Sequence, residues 1–313
     1  MNLFVSMKYL VALDEQRHFG RAALACHVTQ PALSNALRAL EAHFNTAIVK
    51  RGRAFAGFTA EGQRILSSAR RVLQEHELLQ QDLHSRQGRP QGHLVVGAVP
   101  TAMPIAARFV AQLQARHPGI QPMLRSMSSA ELETGLESLA LDMGLGYAER
   151  SVQGGAPLQL LPQYQERYFL LRKAASPHSK LLIGPPMGWQ EAATQALCLL
   201  GPEMHNRSII DRAFAAAGAK PQPAIETNSI LALALSVVAG QVCSVMPGAL
   251  VAAVRGLAHL EARPLVDPLV EVPVAFMVQP GQRASLTLLA AMEFAQEAEW
   301  LVYAAQQSGL GAS

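Results

Sequence analysis

Four polar side chains spread over nine residues are the first in the chain that could do specific chemistry. Gln30, Ser34 and Arg38 recur at steps of four, with Asn35 beside them. On a helix, residues four apart share a face. Gln and Asn can pair bidentately with adenine edges, Arg can do so with guanine, and Ser can reach a base or a phosphate. That is the chemistry of a helix reading the major groove of duplex DNA. Polar helix faces also occur in proteins that never meet nucleic acid, so the elements carrying these residues must decide.

The stretch Phe19–Glu41, FGRAALACHVTQPALSNALRALE, holds two short helical patterns joined by a turn of about three residues. Thr29 can cap the second helix, and Pro31 fits its first turn, where the missing N–H would have no partner. Leu33, Leu37, Leu40 and Phe44 follow at steps of four, three and four, which predicts an apolar side turned to a core. Residues 4–14 read as a supporting helix with Phe4, Met7, Leu10 and Val11 on one face. Ile48–Phe58 carries Lys50, Arg51 and Arg53 among apolar residues and glycines, as a small β-hairpin would. Its basic residues would hold phosphate and add affinity rather than base selectivity. Alone, they would read as a solvated charge cluster.

Thr59 reads as the cap of a long helix running to about Arg86. Along it Ile65, Ala69, Val72, His76, Leu79 and Leu83 alternate steps of four and three, the seam of a coiled coil. Such a stripe cannot be buried by one helix alone.

From Leu3 to Gly62 the chain resembles the N-terminal winged helix-turn-helix of the LysR-type transcriptional regulators. The matching residues are Phe19, Ala22-Ala23, the run Val28-Thr29-Gln30-Pro31-Ala32-Leu33-Ser34, Leu40-Glu41, Arg51, Phe58-Thr59 and Gly62. Asn35 departs from the family, which often has Arg there, so base preference does not carry over at that position. The resemblance implies that Thr29, Gln30, Pro31, Ser34, Asn35 and Arg38 meet double-stranded DNA, with Lys50, Arg51 and Arg53 as the wing. It also implies that the long helix pairs subunits into a homodimer or homotetramer. Pairing sets two recognition helices on successive half-sites.

Charge is distributed to match. Of a net +3, residues 1–90 hold twelve Lys or Arg against seven Asp or Glu, while residues 91–313 hold fourteen against sixteen. The basic end is the one that would face phosphate. The apolar start is interrupted by Lys8 and Asp14 and no cleavage site follows, so a cytoplasmic protein is expected. Cys26, Cys198 and Cys243 form no CxxC and no zinc-spaced cluster, which argues against metal and against thiol sensing. Thr227–Val254 has no charged residue and is long enough for a bilayer. Gly240-Gln241 and Pro247-Gly248 interrupt it, so it reads as a buried helix, a strand and a turn into another helix.

Ser85–Gly92, SRQGRPQG, reads as a hinge, after which strands and helices alternate. Strands are predicted at His93–Val99, Ile120–Ser126, Met143–Tyr147, Arg167–Arg172, Leu197–Leu200, Pro223–Glu226, Cys243–Met246 and Val272–Val278. Helices are predicted at Pro104–Arg116, after Ser128 or Ser129, and at Ser208–Ala217, Ser229–Ala239 and Ser285–Ala298. Repeated units of this kind predict α/β sheets with largely parallel strands. This part resembles the LysR-type effector domain, on Gly97, Pro104, the hydrophobic layout and NSILALALSVVAGQVCSVMP. The implied fold is two α/β lobes of periplasmic-binding-protein type with a cleft between them.

The domains expected are therefore 1–62, an all-α winged helix-turn-helix; 63–92, linker helix and hinge; and 93–305, the effector domain. Lobe I would cover about 93–162 and 268–305, and lobe II about 163–267. In such sheets ligands sit beyond the carboxyl ends of strands, at helix N-termini. Thr101 with Ala102, Ser128 with Ser129, His205 to Arg207, and Thr227 with Asn228 fit that description, with Met103, Met204 and Met246 as apolar wall. Each Ser, Thr or Asn alone is as well explained by a helix cap; their convergence suggests a pocket for a polar or anionic metabolite. There is no GxSxG, P-loop or HExxH, and Gly144-Leu145-Gly146 begins a dinucleotide fingerprint that does not continue. No catalytic residue, metal or cofactor is expected. The alternative is an α/β enzyme or small-molecule binding protein whose N-terminal helices serve oligomerisation.

Overall fold

The computed structural model describes residues 2–50, 52, 55–84, 90–151, 158–176, 178–280 and 284–310, without the side chains of residues 77, 81–84, 150–151 and 309–310. The chain forms two compact units, Met1–Gly88 with Glu137–Ala140, and Arg89–Leu136 with Leu141–Ser313.

The first unit is built from α1 (Leu3–Gln16), α2 (Phe19–Ala25), α3 (Gln30–Phe44) and α4 (Ala60–His84). Leu10, Leu13, Ala22, Leu33, Leu37, Leu40, Ile48, Leu66 and Ala69 form its core. Ala22 and Ala23 let α2 cross its neighbours closely. Phe44 was expected to join this core, but it ends α3 next to the left-handed Asn45 and is 40% exposed. Thr59 Oγ accepts the Gly62 N–H at 2.9 Å and donates to the Ala47 carbonyl at 2.6 Å, which fixes the start of α4. A Cβ on Gly62 would lie 2.1 Å from the Ile48 carbonyl oxygen, so only glycine permits this approach.

The six-residue seam expected on α4 is divided. Ala69 is fully buried, and Ile65 partly so, against this unit's own core; the His76 ring packs 4.6 Å from Phe4. Val72 and Leu79 stand 45% and 54% exposed. The first turns of the helix must cover the winged core, so their apolar residues are used within the chain. The side chain of Leu83 and residues 85–89 of the expected hinge lie outside the described residues.

The second unit holds two lobes. Lobe I contains β1 (Gly92–Ala98), α5 (Met103–Arg116), β2 (Ile120–Ser126), α6 (Ser129–Glu137), β3 (Met143–Tyr147), α7 (Ala148–Ser151) and β4 (Gln159–Glu166). Lobe II contains β5 (Tyr168–Lys173), β6 (Leu182–Ile183), β7 (Met187–Gly188), α8 (Trp189–Ala193), β8 (Leu197–Leu200), α9 (His205–Ala216), β9 (Ile225–Thr227), α10 (Ile230–Ala239), β10 (Cys243–Pro247), α11 (Gly248–Ala253) and β11 (Leu260–Val266). The chain then returns to lobe I with β12 (Val272–Val278), α12 (Leu286–Gln296) and α13 (Ala298–Ala305).

The sheet orders are β2-β1-β3-β12-β4 and β6-β11-β5-β10-β8-β9, with β7 beside β11. Both are mixed rather than largely parallel. β12 runs antiparallel to β3 and β4, and β5 runs antiparallel to β10 and β11. These are the strands that lead into or out of the two crossovers between lobes, and crossing reverses their direction. The crossovers pass through Arg167 and residues 267–271, where Arg167 Nε donates to Glu271 Oε1 at 2.7 Å. In lobe I, Phe109, Phe276, Phe294 and Trp300 cluster with centroids 4.4 to 5.4 Å apart.

Two helix boundaries differ from the sequence reading. α9 begins at His205 rather than Ser208, and the last long helix breaks at extended Glu297. The uncharged stretch folds into α10, β10 and α11, burying Leu233, Ala234 and Val237. Among the described residues, no helix is long and apolar enough to cross a membrane.

Candidate nucleic-acid interface and effector cleft

In the first unit, side-chain caps fix where α2 and α3 begin. His18 Nδ1 accepts the Gly20 and Arg21 N–H groups at 3.1 and 3.3 Å, and Thr29 Oγ accepts Ala32 N–H at 3.3 Å. Pro31 lies in the first turn of α3. With Leu33, Leu37 and Leu40 buried, Gln30, Asn35 and Arg38 are exposed and Ser34 is half-buried. Arg38 Nη1 donates to Asn35 Oδ1 at 2.9 Å, so Asn35 orients the guanidinium one turn away.

Glu41 joins this helix to the wing, its Oε1 accepting Ile48 N–H at 2.8 Å and Val49 N–H at 3.1 Å. Among the described residues the segment closes through the bridge of Val49 to Phe58, with Lys50 N–H donating to the Gly57 carbonyl at 2.9 Å. Ser34, Arg38 and Lys50 line one depression together with Phe19 and Glu41. Arg51 and Arg53 lie outside the described residues.

In the second unit a cavity of about 190 Å³ lies between the lobes. Thr101, Ser128, Ser129, Met204 and His205 line it, as the sequence suggested. The other six candidates are elsewhere. Ala102 and Met246 are core, and Met103 packs on the core of lobe I. Arg207 points away, donating to Asp211 Oδ1 at 2.8 Å, Glu226 Oε1 at 2.7 Å and the Leu200 carbonyl at 2.8 Å. Thr227 Oγ accepts Ser229 N–H at 3.1 Å in a local turn, and exposed Asn228 is not part of the wall. A helix N-terminus supplies one inward face, and residues on its other faces serve packing.

Glu203, Ser208 and Tyr147 also line the cavity and were not among the candidates, and so does Asn206, which lies within the candidate stretch His205 to Arg207. Starting α9 at His205 turns Asn206 inward, and Tyr147 ends β3 beyond its carboxyl edge. Asn206 Nδ2 donates to Tyr147 Oη at 3.1 Å and to Tyr168 Oη at 3.0 Å, and Tyr147 shares a 2.7 Å hydrogen bond with Thr101. Burial pushes the Tyr147 phenol well up, so it stays a neutral hydroxyl. Ser128 and Glu131 form a capping box, Ser128 Oγ donating to Glu131 Oε2 at 2.8 Å and accepting Glu131 N–H at 3.3 Å. The Oγ of Ser129 and Oδ1 of Asn206 are buried and bonded to no described group. Among the described residues there is no cluster of His, Cys, Asp and Glu that could hold a metal.

Residues 4–63 match the bacterial regulatory helix-turn-helix of the lysR family, and residues 87–300 match the LysR substrate binding domain. The DNA-binding transcriptional dual regulator OxyR of Escherichia coli is 36% identical over 138 residues, covering 44% of this chain and 45% of that protein. The hydrogen peroxide-inducible genes activator of Haemophilus influenzae is 35% identical over 141 residues, covering 44% of this chain and 46% of that protein. The matched segment thus spans less than half the length of these curated relatives. A full-length OxyR variant from Pseudomonas aeruginosa has a TM-score of 0.71 at 21% identity, covering 94% of this chain and 97% of that one. Full-length CbnR complexed with its target DNA gives 0.63 at 21% identity, covering 96% and 99%. At that identity the structural likeness is one of fold, whereas the two domain matches together take in nearly all of the chain. On those matches, the chain belongs to the LysR family.

Proposed function

We propose that the protein is a cytoplasmic, sequence-specific DNA-binding transcriptional regulator controlled by a small molecule held between its two α/β lobes. One observation carries this reading: α3 buries Leu33, Leu37 and Leu40 and leaves Gln30, Asn35 and Arg38 open, and Arg38 shares one depression with Ser34 and Lys50. A base-reading face with a basic wing beside it is what recognition and phosphate grip require. Val72 and Leu79, seven residues apart on α4 and exposed, would pair two copies, with a dimer as the minimum assembly. Effector control then needs a ligand that binds two arrangements of the oligomer unequally. Catalysis forms no part of this reading.

The relatives' names connect them with hydrogen peroxide. Here the response is assigned to non-covalent occupancy of the cleft, because the three thiols lie away from the cavity wall and burial raises each of them. Thiolate is the reactive form, so a raised thiol resists oxidation. Selection of duplexes from a random pool, followed by titration of the winner at increasing salt, tests the central claim. An enriched motif and a log-linear loss of affinity with salt are expected; no enrichment refutes sequence-specific regulation.

A further inference from the structure

The cavity has a polarity that a simple anion does not match. Among the described residues that line it none is Lys or Arg, and Glu203 is an acidic member of the wall. A second carboxylate, Glu131, is tied to Ser128 at the first turn of α6, and those hydrogen bonds hold it below the usual carboxylate range. Glu131 is exposed and not part of the wall, so a bare anion entering here would meet the Glu203 carboxylate with no described Lys or Arg beside it.

The wall nevertheless offers both donors and acceptors. On the lobe I side are Thr101, the 9%-exposed Ser129 and the first turn of the nine-residue α6, whose leading N–H groups have no intrahelical acceptor. On the lobe II side are Glu203 and the 4%-exposed Asn206, whose carbonyl oxygen can only accept. Both Ser129 Oγ and Asn206 Oδ1 are buried with no described partner, so each is open to a polar group of a ligand. At about 190 Å³ the space is below the ~300–1,000 Å³ of drug-sized sites.

We propose that the ligand of this cavity is a small α-amino acid, its ammonium received by Glu203 and Asn206 and its carboxylate by Ser129 and the first turn of α6. A zwitterion carries no net charge for the Glu203 carboxylate to repel, and it supplies the donor that Asn206 Oδ1 lacks and the acceptor that the Ser129 hydroxyl lacks. The proposal rests on reading the cavity as the effector site and narrows the class of effector.

The test is calorimetric titration of the full chain with each of the twenty L-amino acids, and with the deaminated acid and decarboxylated amine of any that bind. At least one amino acid should bind, and losing either charged group should weaken it about tenfold to a hundredfold, as for other charged hydrogen bonds. Glu203→Gln should weaken it by a similar factor, with partial recovery in Glu203→Asp. Binding by none of the twenty, or equal binding of the deaminated acid, overturns the proposal. A carboxylic acid whose binding is abolished by Ser129→Leu would keep the cavity as effector site and reject only the ammonium. Binding of every probe unchanged by Ser129→Leu would reject the cavity itself.

Discussion

Asn206 of lobe II donates a 3.1 Å hydrogen bond to the phenol oxygen of Tyr147 in lobe I, so a single buried amide bridges the cleft at the wall of its cavity. Its second N–H goes to Tyr168, at the start of the first strand after the crossover. Asn206→Ala would leave both phenols short of a partner. A loss of about 1–3 kcal/mol of stability is expected, read by urea unfolding of the second unit's transition. Tyr147→Phe should cost a similar amount and be non-additive with it, because the two residues share one network. Fully additive effects would mean that the bond is not formed in solution.

Arg38 and Lys50 line the same depression but should fail differently on substitution. Arg38→Ala is expected to lose about 1–3 kcal/mol of binding and to relax sequence preference, whereas Lys50→Ala weakens all duplexes alike and lowers the salt slope by about 1. Asn35→Ala, which frees the guanidinium, should blur the preference at the base that Arg38 reads. Equal losses on all sequences for every variant would remove Arg38 from base reading.

Cys198 and Cys243 are neighbours across β8 and β10, yet they cannot be joined. The register sets Cys243 opposite Leu197, and Cys198 opposite Ser244. Successive strand residues face opposite sides, and the two thiols accordingly pack into different cores. Hydrogen peroxide should produce no bridge between them under native conditions, checked by non-reducing peptide mapping. The Cys198→Ser, Cys243→Ser double variant should keep its ligand response.

Glu166 ends β4 fully buried, accepting Ala249 N–H at 3.1 Å, and burial pushes its carboxyl up to about 8. An unfolded glutamate titrates near 4.3. Between those values the folded protein holds the extra proton. Its stability should therefore fall as pH rises from about 4.3 to about 8 and then level off. Glu166→Gln, which keeps the neutral shape, should flatten that fall in a series of melting temperatures against pH. An unchanged slope would assign the dependence to other groups.

The recognition helix was legible because it depends on local signals: a cap at Thr29, proline at the first turn, and leucines every three or four residues. The lobes were legible as alternating strands and helices, but β4 and β11 were missed. Pro162 and Pro264 interrupt their patterns, and their pairing is settled by strands distant in sequence. The cavity was half legible. Thr101, Ser128 and Ser129 follow directly from strand ends and Asn206 fell inside the stretch His205 to Arg207, whereas Glu203 precedes a helix whose start the sequence set three residues late. Tyr147 could have been found by the strand-end rule applied to the other candidates; it was passed over as part of a failed glycine fingerprint. The α4 stripe divides between the chain's own core and an exposed part because a heptad pattern does not say whether its partner belongs to the same chain.

The paired hydrogen bonds from Ile48 and Val49 to one oxygen of Glu41 make a bracket between α3 and the start of the loop that follows it. On the proposed function, such a module would meet the duplex already shaped, with little ordering left to complete on contact. Fit to the groove and grip on the strand would thereby be geared together. A sequence that seated the helix badly would also lift the loop from the backbone, which would sharpen discrimination without any added contact.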